Sequence, residues 1–259
     1  MRQPLAYIHP AAKIASSVVI DPFVTIDQNV EIGEGTRILS GATILEGSRI
    51  GRNCTIFPNA VVGAIPQDLK FHGEDTLAII GDNTTLRECV TVNRGTDARG
   101  KTVVGNNCLI MAYSHVAHDC LVGDNVIISN ATQLAGEVVV DNFAVIGGGT
   151  LVHQFCHLGS HVMIQGGALI NKDIPPFVKA AREPIAYCGV NSIGLRRRGF
   201  SNESIRDIQE IYRYIYMSNM NVSDATERIE AELPASRERD EILMFIRNSK
   251  RGILRGYFS

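Results

Sequence analysis

The sequence predicts a mainly β protein: a parallel β-helix of hexapeptide repeats over residues 1–176, followed by an α-helical domain over 177–259. Three observations predict it. An aliphatic residue recurs at every sixth position from residue 8 to residue 170, apart from two interruptions. Each interruption returns in the same phase. Beyond Pro175 and Pro176 the six-residue metre stops, and apolar residues fall at helical spacing instead.

A sustained period of six matches neither the 3.6-residue period of an amphipathic helix nor the alternation of a half-buried strand. Three hexads, each a short strand and a corner, close a triangular coil of about 18 residues. Stacked coils then bury the first position of every hexad in one continuous core. Those positions run Ile8, Ile14, Ile20 and onward to Val62, resume at Ile80, Leu86 and Val92, and continue from Val104 to Ile170. The metre is least broken over 104–174, which also holds five of the seven histidines.

In chain order, residues 8–67 are ten hexads with polar corners and read as scaffold. The first interruption, about 68–79, is a loop inserted without disturbing the stack. Loops of that length inside a compact domain usually carry function, so Asp68, Lys70 and His72 are site candidates. The second, about 98–103, is short and polar and receives no chemistry. After the prolines, Gly189 to Phe200 places Arg196, Arg197 and Arg198 near Asn191, a set suited to holding phosphate oxygens. Ser201 is placed to cap a helix with Ile205, Ile208, Ile211, Tyr212 and Ile215 on one face. Further helices follow Ser223 and span roughly 236–249, and the three are expected to cap the last coil directly.

Composition narrows the class. The chain has 259 residues, 6% aromatic and no Trp, which suits a narrow core of Ile and Val. A net charge of −2 does not favour nucleic acid. Pro10, Lys13 and Asp21 break any leader-like pattern, and no run of 18 apolar residues could span a bilayer, so a soluble cytoplasmic protein without stable membrane insertion is expected. Cys54, Cys108, Cys120 and Cys156 occupy the small fifth position of their hexads and read as buried thiols rather than disulfides or metal ligands.

Periodicity also yields geometry. Residues 18 apart in uninterrupted hexads sit on neighbouring coils, about 4.8 Å apart. His118, Gly136 and Gln154 form one such column, and His115, Gln133 and Leu151 another. An imidazole as general base, Asp119 beside it and a glycine amide one coil away suit acyl transfer.

The hexads from residue 8, Gln67 to Lys70, Arg87 to Thr96, His115 to Cys120, Val152 to Cys156 and the Gly194 to Phe200 segment together resemble the O-acyltransferases that move an acyl chain from acyl carrier protein to UDP-N-acetylglucosamine in lipid A biosynthesis. The resemblance runs essentially end to end. It implies left-handed coils, against the usual right-handed crossover, and a homotrimer with sites between prisms. It implies His118 as general base, Asp119 as its orienting carboxylate and Gly136 as oxyanion donor. It places Asp68, Lys70, His115 and Gln154 on the nucleotide sugar, His153 near the thioester, and Asn191, Arg197 and Arg198 near the uridine and diphosphate. Gly166 matches the position that sets acyl-chain length. No metal or dissociable cofactor is implied, the acyl group arriving on the phosphopantetheine of acyl carrier protein. Glu137 departs from the pattern, standing where many relatives carry a histidine. The alternatives are the N-acyltransferase of the same pathway, whose members carry an extra preceding domain, a γ-class zinc carbonic anhydrase, and a noncatalytic scaffold.

Overall fold

A computed structural model describes residues 5–256; the ends of both expected domains lie outside the described residues. The hexads form a left-handed parallel β-helix with three faces. The first face has nine strands and runs from Tyr7–Ile8 to Leu169–Ile170; the second has eight, from Lys13–Ile14 to His157–Leu158. The third begins at Val19–Ile20 and counts ten strands. Most strands are two residues long, the sixth position of one hexad and the first of the next, so one side chain points out and one in.

Register follows the metre. Gln133 pairs with Leu151 and His115 with Gln133, 18 residues apart. Across the first interruption Ile50 pairs with Ile80, and across the second Ile80 pairs with Val104. The insertions therefore add residues to a coil without shifting the stack. First-position aliphatics from Ile20 to Ile170 are buried, whereas Ile8 and Ile14 are only partly so, since no coil of the described residues lies beneath them.

The fifth positions are also buried, and where they are polar they donate inward: Thr36 Oγ1 to Gly51 O at 2.8 Å, Thr84 Oγ1 to Gly105 O at 2.7 Å. Cys54, Cys108 and Cys120 donate from sulfur to the carbonyls of Gly81, Gly123 and Ala135, each at 3.1 Å. All six cysteines are free. A small donor at this position satisfies a corner carbonyl that the strand ladder misses.

The fourth residue of hexad after hexad has positive φ, as in Asn29 (50°), Asn107 (54°), Asp119 (60°), Glu137 (60°) and His161 (58°). Gly, Asn, Asp and His tolerate this left-handed region; Glu137 adopts it because the coils above and below hold the corner.

The boundaries differ from those expected. Lys101–Val104 and Leu77–Ile80 are strands, so the irregular segments are residues 65–76 and 94–100. The sheet does not stop at Pro176: Val178–Ala181 pairs in parallel with Met163–Ile164, and Ala186–Val190 returns antiparallel to it. The prolines only redirect the chain, and two further strands cover the edge before any helix does. Four helices follow: α1, Ser192–Arg197; α2, Asn202–Met217; α3, Val222–Glu232; and α4, Arg237–Asn248. Ser201 caps α2, accepting from Ser204 N, and buries the five expected residues. The helix expected after Ser223 begins at Val222, capped by Asn221, and α1 is additional to the three expected. Tyr212 of α2 is fully buried and donates to Pro176 O at 2.6 Å, pinning the helices to the last coil.

Candidate active site

The site is built at the corner between the first and second faces. His115–Val116 ends a first-face strand and Leu121–Val122 begins the next on the second face, so His118 and Asp119 occupy the corner itself. Both insertions leave from this corner too: residues 65–76 follow the first-face strand Val61–Ala64, and 94–100 follow Thr91–Asn93.

His118 is nearly buried, and its Nδ1 lies 2.8 Å from Asp119 Oδ2. The Asp119 carboxylate is wholly buried. It accepts from Thr96 N at 3.0 and 3.1 Å, from Thr96 Oγ1 at 2.6 Å and from Arg99 N at 3.1 Å. With donors on every side the carboxylate serves only as acceptor, so His118 Nδ1 donates to it, and in the neutral ring the lone pair falls on Nε2.

Nε2 faces two groups. Asp68 Oδ2, from the first insertion, is 3.9 Å away. The other is Gly136: a Cβ built there would stand 2.4 Å from Nε2 and 2.5 Å from Cε1. The ring occupies the space a side chain would need, which is the physical reason for glycine. At the corner between the second and third faces, the equivalent amides of Arg52, Asp82, Asn106 and Asp124 are satisfied by an Asp or Asn side chain one coil on. Here no such ladder exists, and the Gly136 amide donates to no group among the described residues. A base and an uncommitted amide therefore adjoin.

Other candidates lie around this centre. His115 shares a 2.7 Å hydrogen bond with Thr91 Oγ1, and burial, then the neighbouring His118, holds it below the usual histidine range. His153 is exposed with Nδ1 3.0 Å from Gln154 O, and Gln154 is half-buried on the coil above Gly136. Lys70 is exposed, its amide donating to Asp68 Oδ1 at 3.0 Å in a turn that fixes the Asp68 carboxylate. His72 is exposed beyond it, its amide bonded to Glu74.

Within one chain the remaining candidates are elsewhere. Gly166 lies between Met163–Ile164 on the third face and Leu169–Ile170 on the first, a different edge of the prism. Arg198 stands at the third edge, its guanidinium 5.4 Å from the Phe143 ring. Asn191, expected near phosphate, makes two bonds within this chain: its side-chain amide caps α1 by accepting from Gly194 N and donates to His161 O at 2.9 Å. Arg197 is exposed on α1. Three edges of a triangular prism point in different directions, so a single copy cannot bring these groups to His118.

The roles of Thr96 and Arg99 carry no periodic signal, since one closes the Arg87 to Thr96 segment and the other lies in a short polar loop. The signal that finds them is the phase: counting hexads by threes, both interruptions follow the same face that leads to His118. The side chain of Glu137, the departure from the family pattern, makes no hydrogen bond or ion pair among the described residues; its amide donates to His118 O at 2.9 Å. No group of three or more His, Cys, Asp or Glu among the described residues is placed to hold a metal ion, and none of their helices is long and apolar enough to cross a membrane.

Comparison with known proteins points to one family. Residues 173–254 match the family model described as UDP N-acetylglucosamine O-acyltransferase, domain 2; residues 101–136 match the bacterial transferase hexapeptide model, and residues 2–104 match a model described as the GMPPB C-terminal domain. The acyl-(acyl-carrier-protein)–UDP-N-acetylglucosamine O-acyltransferase of Chlorobaculum parvum is 55% identical, over 96% of this chain and 95% of its own. That of Trichlorobacter lovleyi is 52% identical, over 97% and 98%. The crystal structure of a UDP-N-acetylglucosamine acyltransferase from Bacteroides fragilis superposes with a TM-score of 0.97 at 59% identity, covering 98% of this chain and all of the other. These matches set aside the N-acyltransferase, carbonic anhydrase and scaffold readings, and the chain belongs to the acyl-carrier-protein-dependent UDP-N-acetylglucosamine O-acyltransferase family.

Proposed function

We propose that the chain transfers a 3-hydroxyacyl group from the phosphopantetheine thioester of acyl carrier protein to the 3-hydroxyl of UDP-N-acetylglucosamine. The observation that carries the mechanism is the pairing of an unprotonated His118 Nε2 with the open Gly136 amide. Nε2 takes the proton of the sugar hydroxyl as its oxygen attacks the thioester carbonyl, and the Gly136 N–H stabilises the oxyanion that forms. Collapse expels the pantetheine sulfur, which recovers the proton from His118. Asp119 orients the ring and stabilises its charged form. The thioester supplies the activation, so no metal or dissociable cofactor takes part.

Asp68, Lys70, His115 and Gln154 surround the sugar, and His153 lies toward the thioester. The separation of Gly166, Asn191, Arg197 and Arg198 from His118 supports a homotrimer, in which packing prisms side by side apposes one edge with another; the diphosphate and the acyl chain then sit between subunits. Gly166 has no side chain to close the acyl groove, which favours chains of about C14 or longer. The exposed cations Lys179, Arg182, Arg206 and Arg213 suit an acidic carrier protein in the cytoplasm, and transfer should weaken with salt because such attraction is screened beyond about 8 Å.

The test is to mix the pure protein with 3-hydroxyacyl carrier proteins of graded chain length and UDP-N-acetylglucosamine, then locate the acyl group by mass spectrometry and NMR. Acyl esters on the 3-oxygen support the reading. N-acylation, no transfer, or clear preference for C10 defeats the corresponding part.

A further inference from the structure

We infer that Arg99 is a positioning residue for the transfer: its guanidinium ties the coil bearing His118 and Asp119 to the coil bearing Gly136, and so sets the separation of base and oxyanion donor. The inference rests on the function proposed above.

One arm of the guanidinium donates to Asp119 O at 2.7 Å and the other reaches Glu137 O at 3.5 Å. Asp119 and Glu137 are equivalent corner positions, 18 residues apart, and each directly follows a group of the reaction centre, His118 or Gly136. Both have φ of 60°, which turns their carbonyls away from the strand ladder, and no other bond to either carbonyl exists among the described residues. The same residue holds Asp119 at its other end, Arg99 N donating to Oδ1 at 3.1 Å. The turn that delivers it is closed by Gly100 N to Thr96 O at 2.7 Å, and Thr96 and His118 Nδ1 supply the remaining donors to the carboxylate. Arg99 therefore grips Asp119 by backbone and side chain together while spanning to the next coil. A planar fork with two donating arms suits two successive carbonyls; an ammonium, a single point, does not.

Arg99→Lys and Arg99→Met in the full-length protein test this. Both variants are expected to lower kcat about 10- to 100-fold, as a small misplacement of reacting groups does, with KM for UDP-N-acetylglucosamine changed less than about threefold. Lysine should restore little despite its charge. A second readout needs no activity: the His118 Nδ1–H resonance, assigned by its loss in His118→Ala, should exchange faster with solvent in both variants. A purely structural role would lower the melting temperature and leave that resonance and kcat in place. Retention of kcat within threefold, a loss confined to KM, or an unaltered Nδ1–H signal overturns the inference. If the unaltered protein transfers no acyl group, the proposed function fails, while the resonance comparison still decides the role of Arg99.

Discussion

The imidazole of His118 fills the volume in which a side chain at residue 136 would stand, its Nε2 only 2.4 Å from the place of a Cβ. Imidazole and glycine are thus packed against each other across neighbouring coils. Gly136→Ala should displace the ring, because the coils on either side leave the methyl no other direction. We expect kcat to fall by on the order of 100-fold while the far-ultraviolet spectrum is kept. Wild-type turnover in this variant would remove Gly136 from the mechanism.

Asp119→Asn keeps the shape of the corner and changes its hydrogen bonding. An amide cannot accept from Thr96 N, Thr96 Oγ1, Arg99 N and His118 Nδ1 together, so its NH2 meets buried donors. The loss in kcat should reach about 10³- to 10⁴-fold, since the ring no longer holds its proton on Nδ1. Unsatisfied buried donors should lower stability by about 1–3 kcal/mol. Steady-state kinetics and urea unfolding read the two effects, and a kcat within threefold of the parent would contradict the assigned tautomer.

His161 predicts a pH dependence. Its ring stacks on Phe143 at 4.8 Å and lies near Phe177 and Phe200; burial, then Arg198 and Arg237, pushes it down to about 4. The unfolded chain binds a proton here below its ordinary 6.5 that the folded chain refuses until about 4. Stability from this site is therefore present above pH 6.5 and is lost as pH falls toward 4. Glu241, raised by burial, works in the opposite direction above its ordinary 4.5. The melting temperature of His161→Phe should fall less between pH 6.5 and 4 than that of the parent. Parallel curves would show that His161 does not titrate in this way.

The thiols give a chemical check. Burial pushes Cys120 up to about 12 and Cys156 up to about 11, and raises Cys54 and Cys108 as well. Only Cys89 and Cys188 are partly exposed. A thiol reagent at pH 8 should modify at most these two in the folded protein and all six after unfolding, because the thiolate is the reactive form. Rapid modification of four or more would mean that the fifth-position column is open to solvent.

Much of the fold was legible because a hexad is a local instruction. An aliphatic at the first position and a compact residue at the fifth specify an inward strand and a tight corner whatever lies farther along the chain, and Ile20 through Ile170 follow that rule. The column of His118, Gly136 and Gln154 came from counting alone, since a coil of fixed length turns sequence distance into height. Counting cannot reach what depends on chain closing upon chain. The sequence read as ending its sheet at Pro176, yet Val178–Ala181 and Ala186–Val190 add two strands, because an edge with free amides recruits any extended segment that reaches it. Asn191, a candidate phosphate ligand by its neighbours in sequence, also caps α1. Arg99 lay in a polar loop and Thr96 closed the segment before it, and together they hold Asp119. By itself, then, the sequence determined the solenoid, its register and the height of the base relative to the amide. Only the tertiary structure decided which edge each candidate occupies and which loop grips the carboxylate, because those depend on where three faces meet in space rather than on how many residues separate them.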